Sequence, residues 1–83
     1  MKFDQDKFNQ LFRKNLRLLY QNQGADFTLF VSFEEFSSMV SLSYAGDVPA
    51  IQFEKVKFKI NDQFRKETLA ILSRTINQYR VDG

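Results

Sequence analysis

The sequence contains no cysteine and no histidine, and only three glycines and one proline among its 83 residues. Without cysteine there is no disulfide framework and no thiol nucleophile. Without histidine, Ser-His-Asp triads are excluded, and an ordinary zinc site lacks both of its preferred ligand types. The three glycines, Gly24, Gly46 and Gly83, are isolated and build no phosphate-binding loop. We therefore expect no enzyme, no cofactor and no metal site.

Long apolar runs are missing as well. No stretch approaches the roughly 20 apolar residues that a membrane helix needs. The opening residues 1–6 are polar and charged, and no apolar h-region follows them, as a secretory signal would require. From these absences we expect a cytoplasmic protein that does not bind membranes.

The residues that are present indicate one small globular domain over 1–83. Hydrophobic residues make up 43% of the chain and charged residues 27%, with ten phenylalanines and three tyrosines. The net charge of +2 is unevenly distributed, because residues 23–50 hold four acidic and no basic side chains. A basic beginning and end therefore flank an acidic middle. Such a balance accompanies nucleic-acid binding in some proteins and plain solvation in others.

Helical periodicity appears at both ends of the chain. Residues 4–21 place apolar side chains on one stripe, with Asp4 as N-cap and Phe3 and Phe8 spaced as a hydrophobic staple. Asn15 interrupts this stripe, and we interpret it as an amide bonded to nearby backbone or as a partner contact. Residues 62–79 predict a second helix capped by Asn61 or Asp62, with residues 80–83 frayed. The expected stripes are Phe8, Leu11, Phe12, Leu16, Leu18 and Leu19, and then Phe64, Thr68, Leu69, Ile71, Leu72, Thr75, Ile76 and Tyr79.

Between the helices the period changes to two, which predicts strands over 26–33, 38–45 and 51–60. Residues 45–49 are expected to form the loop between the second and third strands. One alternative remains open for the first connection. Ser32 and Glu35 form a capping-box pattern, and the apolar residues after them are spaced helically. A short helix across Glu34–Met39 would satisfy that pattern.

The predicted architecture is α+β, in the order α-β-β-β-α, with two helices on one face of a three-stranded antiparallel sheet. This order is similar to that of the double-stranded-RNA-binding domain, but the likeness is one of topology and transfers no residues. The stretch 31–40 resembles the end of an EF-hand loop and its exiting helix. With Glu35 as the twelfth ligand, however, Gly24 and Leu29 occupy positions that calcium loops give to Asp and Gly. No calcium site is predicted.

The outward face of the predicted sheet supplies two hypotheses about function. In the first, the protein is a non-catalytic interaction module that self-associates or docks on a protein partner. Its apolar anchors would be Phe30, Met39 and Phe53. In the second, it is a nucleic-acid-binding accessory protein, in which basic side chains contact phosphates. The candidate phosphate ligands are Lys55, Lys57 and Lys59 of the third strand, with Arg13, Lys14 and Arg17 of the first helix.

Overall fold

This computed structural model describes residues 3–22, 31–53 and 62–82. They form helices and one antiparallel hairpin. The order is α-α-β-β-α, so the expected α-β-β-β-α fold with a three-stranded sheet is wrong. The α+β class stands. The elements are α1 (Gln5–Asn22), α2 (Phe33–Met39), β1 (Val40–Ala45), β2 (Val48–Phe53) and α3 (Asp62–Asp82).

Helix α1 begins as its sequence predicts. The Oδ1 of Asp4 accepts a hydrogen bond of 3.1 Å from the Lys7 amide, which satisfies one of the unpaired donors of the first turn. The rings of Phe3 and Phe8 lie 5.6 Å apart and form the hydrophobic staple. Most of the expected stripe is buried or half-buried, but Leu18 is 51% exposed, so its expected place in the core is wrong.

The predicted first strand is absent over 31–33, because Val31 and Ser32 have no regular structure and Phe33 begins α2, while residues 26–30 lie outside the described ranges. Ser32 is the N-cap, and its Oγ accepts from the Glu35 amide at 3.2 Å. This local bond favours a helix over the extended backbone that the alternation predicted. The alternative of a short helix across Glu34–Met39 is therefore confirmed.

Strands β1 and β2 are joined by a turn of two residues, Gly46 and Asp47, which is shorter than the loop expected over 45–49. Gly46 has a φ of 68°, and no described residue other than glycine has a positive φ. A glycine with positive φ followed by a residue with negative φ fits a type II′ hairpin turn. Of the predicted third strand, residues 51–53 end β2, and 54–60 lie outside the described ranges.

Helix α3 follows the predicted stripe and runs three residues further, so the fraying expected after residue 79 is wrong for Arg80 to Asp82. Thr68 and Thr75 are fully buried in the stripe. Their hydroxyls donate to the carbonyls of Phe64 and Ile71, each at 2.8 Å. Leu69 is 48% exposed, contrary to its expected burial.

The core forms where the three helices and the inner face of the hairpin meet. Phe36 is completely buried, with ring centroids 6.0 Å from Tyr20 of α1 and 4.8 Å from Phe64 of α3. At the opposite end, the ring of Phe8 packs 6.3 Å from Tyr44 of β1 and 5.8 Å from Tyr79 of α3. Helices α1 and α3 are therefore antiparallel, and each contacts the hairpin.

One polar contact lies within the interface of α1 and α3. The Asn15 side-chain amide donates to the Thr75 hydroxyl at 2.9 Å and to the Gln78 side-chain oxygen at 3.0 Å. Two interpretations of Asn15 were expected, a bond to nearby backbone and a contact with a partner. The structure shows neither, because the amide bonds to two side chains of α3. The amide connects two helices, which fixes their relative position because a buried donor that loses its acceptor is costly.

Replacement of Gly46 by alanine should lower the free energy of unfolding by about 1–2 kcal/mol, because a side chain disfavours positive φ. A Cβ at this position would meet no other atom within 4 Å, so the cost comes from the backbone alone. Urea denaturation measures the change. The matched control, Asp47→Ala, should shift stability by no more than about 0.5 kcal/mol. Equal losses in the two variants would argue against the type II′ turn.

Asn15→Ala and Thr75→Val should each lower the free energy of unfolding by about 1–3 kcal/mol, and the double variant by less than their sum. A double-mutant cycle by urea denaturation measures the coupling, expected at about 0.5–1.5 kcal/mol. Thr68→Val is the matched control, since Thr68 makes the same bond within α3 about 10 Å away along the helix. Equal coupling of Asn15 to both threonines would show that the Asn15–Thr75 hydrogen bond is not its source.

Candidate functional site

The structure separates the residues that were expected to share an interaction face. Phe30, Lys55, Lys57 and Lys59 lie outside the described ranges. Met39 ends α2 and is buried in the core, so it does not lie on an outward sheet face. Met39 was expected on that face because the predicted second strand alternates with a period of two, but residue 39 belongs to helix α2.

Phe53 lies on the inner face of the hairpin, in register with buried Val40. It is half-buried, and the Arg65 guanidinium lies 5.8 Å from its ring centre. The outward face instead carries small and polar side chains, and its one large exposed apolar residue is Val48. That face comprises Ser41, Ser43, Ala45, Val48, Ala50 and Gln52.

Two of the predicted phosphate ligands contact α2 instead. The guanidinium of Arg13 lies 2.6 Å from one carboxylate oxygen of Glu34, and that of Arg17 lies 3.7 Å from the other. Both guanidinium groups also lie over the ring of Phe33, at 5.5 Å for Arg13 and 4.2 Å for Arg17. We call Arg13, Arg17, Phe33 and Glu34 the arginine clamp.

The arginine clamp holds more positive than negative charge. Two arginines share one carboxylate, and the side chains of Arg13, Arg17 and Glu34 are 54%, 51% and 70% exposed. Exposed ion pairs contribute little to stability, since water screens them. The clamp is therefore an accessible basic patch whose surplus charge can meet a further anion. Lys14, the third predicted basic residue of α1, is also exposed but lines a different cleft, with Leu11 and Tyr79.

Beside the clamp, a cleft of about 210 Å³ separates α1 from β1. The buried side chains of the lining are Phe12, Leu16 and Val40, so the floor of the cleft is apolar. Half-buried Leu42 forms its β1 side. Three polar residues, Asn9, Arg13 and Ser37, complete the lining. We call this set the β1 cleft.

Tyr44 contacts Asn9, one of the residues that line the β1 cleft. Its hydroxyl donates to the side-chain oxygen of Asn9. Burial raises the pKa of the Tyr44 hydroxyl above its usual value near 10. The hydroxyl therefore stays protonated at neutral pH and remains a donor.

The outer edge of β1 borders the same cleft. In a hairpin with a two-residue turn, the residue pair next to the turn is hydrogen-bonded, and non-bonded and bonded pairs alternate from there. The pair next to the turn is Ala45 and Val48. Tyr44 and Leu42 are consequently in non-bonded pairs, so their N–H and C=O groups point away from β2. Among the residues that the structure describes, no backbone hydrogen bond connects these groups to another segment. Strand β1 also contains no charged residue and no proline.

The outer edge of β2 differs, because Pro49 lies in a non-bonded pair opposite Tyr44. Its missing N–H costs the hairpin nothing there, but it leaves this edge without one donor. Proline at an edge discourages the pairing of a further strand. The two edges of the hairpin are therefore unequal, and β1 has the edge that is better able to pair.

Comparison with known protein families, with curated proteins and with solved structures finds no match. None of the described helices is both long and apolar enough to cross a membrane. Within the described ranges, no group of three Asp or Glu side chains is placed to hold a metal ion.

Replacement of Phe33 by alanine should lower the free energy of unfolding by about 3–5 kcal/mol, whereas Glu34→Gln should lower it by less than about 1 kcal/mol. The first change empties a buried position beside Tyr20, 5.9 Å away. The second removes only exposed ion pairs. Urea denaturation of the two variants measures both effects. A loss for Glu34→Gln as large as that for Phe33→Ala would mean that charge, not ring burial, holds α2 on α1.

Proposed function

We propose that this chain is a non-catalytic protein-interaction module that accepts an extended segment of a partner protein along the outer edge of β1. The observation that carries the proposal is the outer edge of β1, which is unpaired among the residues that the structure describes and lies beside a cleft with both apolar and polar lining residues. Backbone groups of Leu42 and Tyr44 would bond to the added strand, and the β1 cleft would receive one of its side chains. Strand addition of this kind draws affinity from main-chain bonds and specificity from pockets for alternate side chains.

The edge of the sheet supports this role better than its outward face does. The outward face is mostly serine, alanine and glutamine, which gives a partner little apolar area to bury. A two-stranded hairpin is also only marginally stable, so a third strand adds hydrogen bonds where the sheet has most to gain. The helices already cover the inner face.

A second copy of the chain fits this edge less well than a different protein. A second β1 contains no charged residue, so in a pair of copies it would offer no carboxylate to the surplus positive charge of the arginine clamp. A different protein can supply that carboxylate, and charge complementarity favours the partner that does. We therefore assign the edge to a different protein, and sedimentation velocity at rising concentration tests self-association separately.

Selection of short random peptides on the immobilised protein should yield binders that add to β1. In a bound complex, amide hydrogen exchange of Leu42 and Tyr44 should slow at least about tenfold, since their N–H groups become bonded. The matched control is the other edge, where Ile51 and Phe53 present the equivalent groups and should be unchanged. N-methylation of the peptide residues whose N–H groups face β1 should abolish binding. N-methylation of the alternate residues, whose N–H groups face away from β1, should not. No selected binder, or protection at β2 instead of β1, would overturn the proposal.

The nucleic-acid hypothesis makes an opposite prediction. Of its six candidate ligands, Arg13 and Arg17 already contact Glu34 and Phe33. Under the interaction-module proposal, labelled single- and double-stranded oligonucleotides should show no saturable anisotropy change, even at low salt. Binding that falls steeply with salt, and that disappears when Lys55, Lys57 and Lys59 become alanine, would favour the nucleic-acid function.

A further inference from the structure

We infer that the segment bound along β1 carries one aliphatic side chain followed, two residues later, by Asp or Glu. The aliphatic side chain would occupy the β1 cleft, and the carboxylate would pair with Arg13. This inference rests on the proposed function and specifies the class of partner, an acidic–apolar peptide segment. Three features of the site support it: the volume of the cleft, the register of α1 against β1, and the charge of the clamp.

The volume of the β1 cleft fits a side chain. At about 210 Å³ it is smaller than the roughly 300–1,000 Å³ typical of sites for small molecules. Phe12 and Leu16 are only 4% and 3% exposed, so half-buried Leu42 is the apolar lining residue that still has surface to cover. An aliphatic group that packs on Leu42 removes that surface from water.

The register of α1 against β1 determines the spacing between the aliphatic and the acidic residue of the bound segment. Tyr44 bonds to Asn9, so these residues lie at the same level. Arg13 lies about 6 Å further along α1, and Leu42 lies about 6.6 Å along β1 from Tyr44 in the same direction. The Arg13 side chain continues towards Glu34, at the end where β1 begins.

Side chains of one strand that share a face are two residues apart. If the aliphatic residue lies opposite Leu42, the next side chain on that face lies opposite Val40, beside Arg13. In an antiparallel pairing, which is the more common kind, this second residue follows the first in sequence. The order aliphatic, any residue, acidic results.

The charge of the clamp selects a carboxylate for that second position. Glu34 neutralises one of the two guanidinium groups near it, and Arg17 remains beside Glu34 if Arg13 turns to a new partner. A guanidinium carries five donors, and the bond to Glu34 uses one end of the fork. One added carboxylate therefore balances the site.

The test uses three short β-prone peptides, of which the second and the third each differ from the first at one position. The first carries leucine and, two residues later, glutamate. The second has lysine in place of the glutamate, and the third has alanine in place of the leucine. Fluorescence anisotropy should show the first binding about tenfold or more tighter than either of the others, since close charge pairs at interfaces and buried side chains each contribute that much.

A charge exchange on the protein identifies the residue responsible. Arg13→Glu should reverse the preference, so that the lysine peptide binds tighter than the glutamate peptide, and Arg13→Gln should remove the preference. The matched control, Lys14→Glu, makes the same change of net charge one residue away, on the other cleft, and should preserve the preference. Circular dichroism confirms that each variant is folded.

The outcomes separate this inference from the function on which it rests. Equal binding of the three peptides, with protection still at Leu42 and Tyr44, would overturn the acidic–apolar specificity and leave strand addition standing. A preference that survives Arg13→Gln and Arg13→Glu would overturn the role of Arg13. Failure of these peptides and of every selected peptide to bind would overturn both.

Discussion

The arrangement of the fold depends on the burial of Phe36. This side chain is completely buried where three helices meet, and its ring contacts Tyr20 and Phe64. Because α2 has only seven residues, it has too few internal hydrogen bonds to be stable alone, and its position is set by what it buries. Strand β1 begins at Val40, directly after α2. The orientation of α2 therefore fixes where the hairpin crosses α1, and with it the β1 cleft.

The parts of this fold that could be predicted are those that repeat over many residues. Both long helices present an apolar stripe for four or more turns, and Asp4 caps α1 through a local bond that its spacing predicts. The first predicted strand is wrong over 31–33, because Val31, Phe33 and Phe36 fit a period of two at first and a helical period afterwards. Over so short a run the two periods are indistinguishable, and the bond between Ser32 and Glu35 decided the outcome.

The candidate site was less predictable, because its contacts join residues far apart in the chain. Arg13 and Glu34 are separated by 21 positions, so no periodicity connects them. Pro49 is a second position where the local sequence and the structure disagree, since it lies in β2 and not in the loop expected over 45–49. Proline within an apolar run argues for a loop, but at a non-bonded position of an edge strand it costs no hydrogen bond. The capping box was the one signal that could have located the cleft, since it places α2, and therefore Ser37 and Val40, beside α1.

The arginine clamp shows why stability and recognition need not use the same interactions. Its ion pairs are more than half exposed, so water has already reduced their contribution to folding, and ring burial at Phe33 and Phe36 holds α2 in place. Because folding depends so little on Glu34, Arg13 can exchange one carboxylate for another at small cost. When a partner strand covers the clamp and removes water from it, the same charge pair becomes stronger, since fewer solvent dipoles screen it. An interaction that contributes little to the free protein can thus decide which partner binds.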